Sequence, residues 1–138
     1  MLKSFTKSSN LGEPARKIVI NLAHVLAFEE SRSDQIGKTI LSLADPRDGR
    51  GSGVGSYLIA VEESVAEVRA AMPGTTYEVR AFDQRVGSVF DGRTLFLVAK
   101  QIRAMLPHSD QVFVEFADGS SQRIKNDVFA AMVLDSID

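Results

Sequence analysis

The chain has 138 residues, of which 44% are hydrophobic and 25% are charged, and these values fit one globular domain rather than a disordered chain. Sixteen lysines and arginines against eighteen acidic residues give a formal net charge of -2, which does not favour binding to nucleic acid or to a membrane surface. The sequence has no cysteine, so disulfides, thiolate metal sites and a cysteine nucleophile are excluded.

The N-terminal residues 1–15 are expected to form a mobile polar tail. The opening MLKSFTKSSN contains basic residues but is not followed by the apolar run of a secretory signal. No apolar stretch approaches the ~20 residues that a membrane span requires. The sequence therefore predicts a cytoplasmic protein that does not contact a membrane.

Strand signals follow in the first half of the chain. Strands are predicted at 16–21, 38–45 and 56–62, where β-branched, leucine-rich or alternating apolar residues occur. The segment LAHVLAFEES (22–31) fits a helix or a strand equally well, because its apolar residues satisfy both spacings.

The stretch ESVAEVRAAMPG (63–74) is predicted to be a helix. Ser64 and Glu67 have the spacing of a capping box, in which each side chain binds the backbone amide of the other residue. Pro73 and Gly74 then end the helix. We therefore interpret Glu67 as a helix cap and not as a catalytic carboxylate.

The second half of the chain repeats this order of elements. The matching segments are TLFLVAKQIRAM (94–105) with KIVINLAHVLAF (17–28), QVFVEFADG (111–119) with KTILSLAD (38–45), and QRIKNDVFAAMVL (122–134) with IAVEESVAEVRAA (59–71). Asp127 takes the place of the N-cap Ser64. Between the copies, TTYEVRAF (75–82) alternates as a strand, and VFDGRT contains an Asp-Gly turn. A shared order of elements indicates an internal duplication.

These signals predict an α+β fold with antiparallel sheets. The expected domain covers 16–138 and consists of two related strand-rich units, 16–74 and 75–138. Each unit is expected to be βββα-like and to end in a helix.

The glycine-rich stretch DPRDGRGSGVGS (45–56) raises the question of a phosphate-binding loop. Such a loop needs backbone amides that converge at a helix N-terminus, whereas here a strand follows, and the GxxxxGK[ST] pattern is missing. We interpret the stretch as an enlarged hairpin loop, with Arg47, Asp48 and Arg50 as its candidate contact residues.

The sequence shows no catalytic constellation, metal site or cofactor motif. His24 and His108 are its two histidines, and no HxxxH or HxH spacing exists. The pairs at 29–30 and 62–63 are adjacent glutamates, whose side chains point to opposite faces of a strand and cannot share a substrate group. We therefore expect no enzyme, no metal and no cofactor.

Basic residues of the central hairpin provide the nucleic-acid alternative. Arg80, Arg85 and Arg93 could bind phosphates if they met on one exposed face. Acidic residues at Glu78, Asp83 and Asp91 interrupt them, so a solvated face is the preferred interpretation and nucleic acid is not favoured as a partner.

Two resemblances bear on function. TILSLAD followed by YLIAVEESVAEVRAAM resembles the small FlbD-like flagellar proteins, also called swarming-motility SwrD-like proteins, over about residues 18–72. The matching positions are Ile40, Leu43, Tyr57, Val61, Glu63, Ser64 and Val68. This resemblance implies a small cytoplasmic accessory or regulatory protein without known catalytic activity, although family members are single units with a tight turn at the glycine-rich stretch. The strand order and the ADG turn are more distantly similar to LytTR-type DNA-binding domains, which are expected to carry a denser basic surface.

Three hypotheses of function follow. The first is a non-catalytic protein-interaction or regulatory accessory module that binds a protein partner or self-associates through a sheet edge, a homodimer being one such form. The second is a nucleic-acid-binding transcriptional regulator, which requires Arg80, Arg85 and Arg93 on one face. The third is a small-substrate enzyme, which requires a deep pocket that collects His24 or His108 with carboxylates.

Overall fold

The structure is a computed structural model that describes residues 1–9, 14–31, 37–44, 57–83, 89–127, 129 and 132–133. Its strands are β1 (Leu2–Lys7), β2 (Arg16–Asn21), β3 (Val25–Glu30), β4 (Thr39–Leu43), β5 (Tyr57–Val61), β6 (Thr76–Asp83), β7 (Val89–Val98), β8 (Ile102–His108), β9 (Gln111–Phe116) and β10 (Ser121–Lys125). The described part of the chain also contains the α-helix α1 (Val65–Ala71) and the 3-10 helices Leu22–His24 and Ala99–Gln101, and Phe129, Met132 and Val133 are α-helical as well.

All ten strands belong to one sheet with the order β2-β1-β5-β4-β3-β7-β6-β10-β9-β8, and every pairing is antiparallel. The expected α+β fold of two βββα-like units is therefore wrong, because the described residues of each half contribute five strands and are mostly β. The residues predicted to form the second helix lie largely outside the described residues.

The helix predicted over 63–74 is confirmed as α1. Ser64 Oγ accepts a hydrogen bond from the Glu67 amide at 3.2 Å, and the Glu67 carboxylate accepts one from the Ser64 amide at 3.3 Å. Val68 and Met72 lie on one face of the helix and are buried. The capping box thus fixes where the helix begins, and the apolar face fixes how it packs.

The N-terminal segment differs from the expected mobile tail. Leu2–Lys7 form β1, which pairs with β2 along its whole length and with β5 at Lys7 and Val61. Phe5 is 1% exposed. The burial of this ring, together with pairing on both sides, orders a segment that is otherwise polar.

The two halves of the sheet have the same strand order. The first half is β2-β1-β5-β4-β3, and the second half is β7-β6-β10-β9-β8. The strands β1 to β5 therefore correspond, in order, to β6 to β10. Lys7 lies opposite Val61 in the first half, and Ala81 lies opposite Ile124 at the same place in the second. Residues at the same place in the two halves are called counterparts below.

Local irregularities also recur in both halves. A β-bulge interrupts the pairing of β3 after Val25 and that of β8 after Ile102. Each 3-10 helix accepts a backbone hydrogen bond of 2.8 Å at its last residue, from Ala44 in the first half and from Ala117 in the second. A bulge and a 3-10 helix at matching positions indicate that the two halves are copies of one structural unit.

Two hydrophobic cores lie on opposite faces of the central strands. The first core is formed by Phe5, Ile20, Leu22, Val25, Phe28, Leu41, Leu43, Val61, Val68, Met72, Phe96 and Val98. The second core is formed by Leu26, Ala27, Val79, Ala81, Leu95, Leu97, Val112, Val114, Phe116, Ile124 and Met132.

The strands β3 and β7 join the halves and contribute to both cores. Phe28 lies opposite Phe96, and their rings stack in the first core with centroids 5.2 Å apart and planes 6° apart. Ala27 lies opposite Leu97 in the second core. Both faces of this strand pair are therefore buried.

Gly37 occupies a position that no other residue fits without strain. Its φ is +108°, and a Cβ there would overlap Ser8 Oγ and approach the Val61 carbonyl oxygen to 2.8 Å. We expect Gly37→Ala to lower the free energy of unfolding by about 3 kcal/mol in urea titrations followed by circular dichroism. Gly74→Ala is the control, because φ is +78° but the nearest contact is the flexible Lys100 side chain at 3.2 Å; its loss should be about 1 kcal/mol. Equal losses would contradict the prediction.

The junction of the halves provides a second test. Phe96→Ala should lower the free energy of unfolding by about 3–5 kcal/mol, because it opens a cavity in the first core and removes the ring stack. Its counterpart Val19 is 66% exposed, so Val19→Ala should cost less than about 0.5 kcal/mol in the same urea titration. A loss below about 1 kcal/mol for Phe96→Ala would show that the junction is not a major source of stability.

Candidate nucleic-acid interface

The candidate interface lies on the sheet of the second half, on the face opposite the second core. Side chains alternate along a strand, and Ala81, Val112, Val114 and Ile124 point into the second core. The neighbours of these residues therefore point to the other side of β6, β10, β9 and β8, which is called the outer face below.

Three cationic side chains share this outer face. Ile124 lies opposite Ala81, so the antiparallel register brings Lys125 opposite Arg80, with Cα atoms about 5 Å apart. Arg123 follows on the same face of β10, two residues from Lys125 and about 7 Å along the strand. Arg80, Arg123 and Lys125 are called the cation cluster below. Arg80 and Lys125 are exposed, and Arg123 is half-buried.

Arg123 is held by its neighbours on β9. Its guanidinium carbon lies 5.3 Å from the centroid of the Phe113 ring, which is directly opposite in the register. Arg123 Nη1 donates a hydrogen bond to Gln111 Oε1 at 3.2 Å. Arg123 Nε is buried and has no hydrogen-bond partner among the residues that the structure describes. The guanidinium is therefore oriented, but one of its donors is unsatisfied.

Two acidic residues, Glu78 and Glu115, share this face with the cation cluster. Glu115 on β9 is bound to Arg103, with Oε1 2.7 Å from Arg103 Nε. Glu78 is exposed on the same face of β6 as Arg80, two residues away. Among the described residues, the outer face of these strands therefore carries more basic than acidic side chains.

The first half lacks this arrangement. The shared register makes Thr6 the counterpart of Arg80, Ala60 that of Arg123, and Glu62 that of Lys125. The two halves have the same strand order, so the cations of the second half are not required by the fold. Cations that occur in only one of two equivalent halves are typical of a binding site, because the fold itself does not require them.

The arginines predicted from the sequence do not form the expected continuous face. Arg80 lies opposite Thr94, and Arg93 lies opposite Ala81, so Arg80 and Arg93 point to opposite faces of the sheet. Arg93 Nε lies 2.7 Å from Glu29 Oε2, and both side chains are largely buried. Arg85 lies outside the described residues.

The other predicted positions give no site. The glycine-rich stretch and its residues Arg47, Asp48 and Arg50 lie outside the described residues. His24 in the first 3-10 helix and His108 at the end of β8 are both exposed. Where the structure is described, no group of three or more acidic or histidine residues could hold a metal ion.

Sequence reasoning missed Arg123 and Lys125 as site residues. The signal was present in the repeat, because aligning 122–134 with 59–71 sets these cations against Ala60 and Glu62. A charge that differs between two copies of one unit indicates a surface that the fold alone does not explain.

The comparisons with known proteins concern the fold. No protein-family model matches the sequence, and no curated protein matches it. Among solved structures, the chain is similar to the LytTr DNA-binding domain of a Bacillus cereus protein, with a TM-score of 0.52 and 13% sequence identity. The match covers 96% of this chain and 94% of that chain. At this identity the likeness shows a shared, mostly β fold.

This likeness corrects two further expectations. The chain was expected to be a protein-interaction or accessory module that binds a protein or self-associates, for example as a homodimer, and nucleic acid was not favoured. The structural neighbour is instead a DNA-binding domain, which agrees with the alternative of a nucleic-acid-binding regulator. The resemblance of residues 18–72 to FlbD-like proteins stays a prediction. In the described part of the chain, no helix has the length and apolar character needed to cross a membrane.

The register sets Lys125 opposite Arg80, and a like-charged pair directly opposite contributes less to an antiparallel sheet than an oppositely charged pair. Lys125→Glu sets an acidic residue opposite Arg80, so we expect the free energy of unfolding to rise by about 0.5 kcal/mol at low salt. Glu62→Lys is the matched reversal in the first half, where the Lys17 amine is bound to the cross-strand neighbour Thr6, so the added cation should not raise stability. Thermal unfolding of both variants at 20 mM and 500 mM salt measures the effect. A loss of stability in Lys125→Glu would contradict it.

Proposed function

We propose that this chain is a nucleic-acid-binding regulator and that it contacts the phosphate backbone through the outer face of its second half. The observation that carries the proposal is the cation cluster of Arg80, Arg123 and Lys125 on β6 and β10. Their counterparts in the first half, Thr6, Ala60 and Glu62, carry no positive charge.

The chemistry of the cluster suits a polyanion. Lysine and arginine side chains that neutralise phosphates release condensed counterions, and this release supplies most of the non-specific affinity for nucleic acid. Arg80 and Lys125 lie opposite each other across the strand pair, so a phosphate bound between them would contact both side chains. Arginine also offers a planar set of donors that matches a phosphate.

The fold supports the same proposal. The similar Bacillus cereus domain is a DNA-binding domain by name, and a regulator of this kind acts by binding and not by catalysis. A cytoplasmic location, expected from the sequence, is part of the proposal, because a regulator must share a compartment with the nucleic acid that it binds.

The proposal predicts a defined loss of affinity in the double variant Arg80→Ala/Lys125→Ala. Fluorescence anisotropy with labelled duplex and single-stranded oligonucleotides, from 50 to 300 mM salt, measures the dissociation constant. Three phosphate contacts give a slope of log affinity against log salt of roughly -2 to -3. The double variant should retain a slope of about -1 and bind at least tenfold more weakly at the lowest salt.

The matched control removes the same charge from the first half. Lys17 and Lys38 are exposed, and Lys17 donates a hydrogen bond to Thr6. Lys17→Ala/Lys38→Ala changes the net charge by the same amount but leaves the outer face of the second half intact, so its salt slope should equal that of the unmodified protein. Equal losses in both double variants, or binding that does not weaken with salt, would overturn the proposal.

A further inference from the structure

We infer that the row formed by Leu106, Phe113 and Arg123 is a stacking site for the unpaired bases of a single-stranded nucleic acid. This inference rests on the proposed function and adds the class of nucleic acid that is bound. It depends on apolar and planar groups, whereas the proposed function depends on the cation cluster.

The three side chains form one continuous row across adjacent strands. Leu106 on β8 lies opposite Phe113 on β9, and Phe113 lies opposite Arg123 on β10. Side chains directly opposite in an antiparallel pair have Cβ atoms about 4.5–5.5 Å apart, so the three groups touch or nearly touch. All three point away from the second core, onto the outer face.

Exposed apolar surface in this row has no role in phosphate binding. Leu106 is 61% exposed, and Phe113 is half-buried. An apolar pair beside a cation cluster is the combination that proteins use for single strands, in which cations follow the backbone and aromatic rings stack with successive bases. The outer face therefore offers a base-binding row next to the phosphate-binding cluster.

Arg123 connects the two parts. Its guanidinium lies over the Phe113 ring, with the carbon 5.3 Å from the ring centroid, so the pair presents planar groups. Bases stack on arginine planes as well as on aromatic rings. The buried Nε of Arg123 has no acceptor among the described residues, and a base oxygen or phosphate could satisfy it after a small shift of the guanidinium.

A duplex cannot use this row in the same way. Paired bases hide their faces within the stack and expose only their edges in the grooves, whereas unpaired bases expose the faces that aromatic side chains bind. In the first half the counterparts of Leu106, Phe113 and Arg123 are Glu29, Ile40 and Ala60, which offer no planar stacking group. The stacking row, like the cation cluster, is confined to the second half.

The absence of tryptophan from the sequence allows a direct test. In the variant Phe113→Trp the new side chain is the only tryptophan, and its fluorescence reports a base that stacks on it. We expect quenching on titration with single-stranded dT12 or U12 and none with a blunt 12-base-pair duplex. The matched control is Ile40→Trp, at the counterpart position of the first half, whose fluorescence should not change.

Affinity supplies the second measurement. Phe113→Ala should weaken the binding of single strands roughly tenfold or more, because stacking of a base on an aromatic side chain is lost, and should leave duplex binding unchanged. Comparing the dissociation constants of dT12 and U12 shows whether DNA or RNA is preferred. A lower dissociation constant for either single strand than for the duplex supports the inference.

The outcomes separate this inference from the proposed function. If Arg80→Ala/Lys125→Ala weakens binding but Phe113→Ala does not, and Phe113→Trp is not quenched, the proposed function stands and the stacking site is refuted. Equal quenching by duplex and single strands would also refute it. If the cation variant binds every oligonucleotide normally, the proposed function itself fails. Circular dichroism of Phe113→Ala checks its folding, and the tryptophan variant provides the test if that fold is lost.

Discussion

The pairing of β3 with β7 is the contact on which the rest of the structure depends. These two strands are buried on both faces, so one strand pair closes the first core and the second core at once. Fully burying an aliphatic or aromatic side chain contributes about 1.5–3 kcal/mol. Separating the halves would expose both faces of VLAF and LFLV to water, and neither half can therefore complete its core alone.

The position of each strand explains how the two copies of the unit differ. β2 is the counterpart of β7, and β8 is the counterpart of β3, but β2 and β8 are the outermost strands of the sheet order. Phe96 on β7 is 8% exposed, whereas its counterpart Val19 on β2 is 66% exposed. The outer strands carry Arg16 and Lys17 on β2 and Pro107 on β8, residue types that protect a sheet edge from further pairing. Differences of this kind follow from the fold, whereas the cation cluster does not.

Parts of this fold could be predicted from the sequence because their signals are local. The capping box of Ser64 and Glu67 defines the start of α1, and the alternation in Tyr57–Val61 defines a strand. The alignment of 17–28 with 94–105 also pairs residues that the sheet places at equivalent positions. The fold class could not be predicted, because a run such as VLAF fits a helix or a buried strand equally well. Only the presence of a core on each side of β3 decides between them, and β1 likewise depends on partners distant in the sequence.

The site was harder to predict than the fold, because it depends on register and on local charge. Arg80 and Arg93 are close in the hairpin, but the register turns Arg93 toward Glu29 and leaves Arg80 on the outer face, and a shift of one residue would reverse this. The formal net charge of -2 argued against nucleic acid, but it averages over two halves whose matching faces differ in charge. Charges are screened over about 10 Å at 0.1 M salt, so a phosphate at the outer face would be affected mainly by the charges of that face, which include Arg80, Arg123 and Lys125, and only weakly by the rest of the molecule. In a duplicated fold, the difference in charge between counterparts is therefore a better guide to a polyanion site than the total.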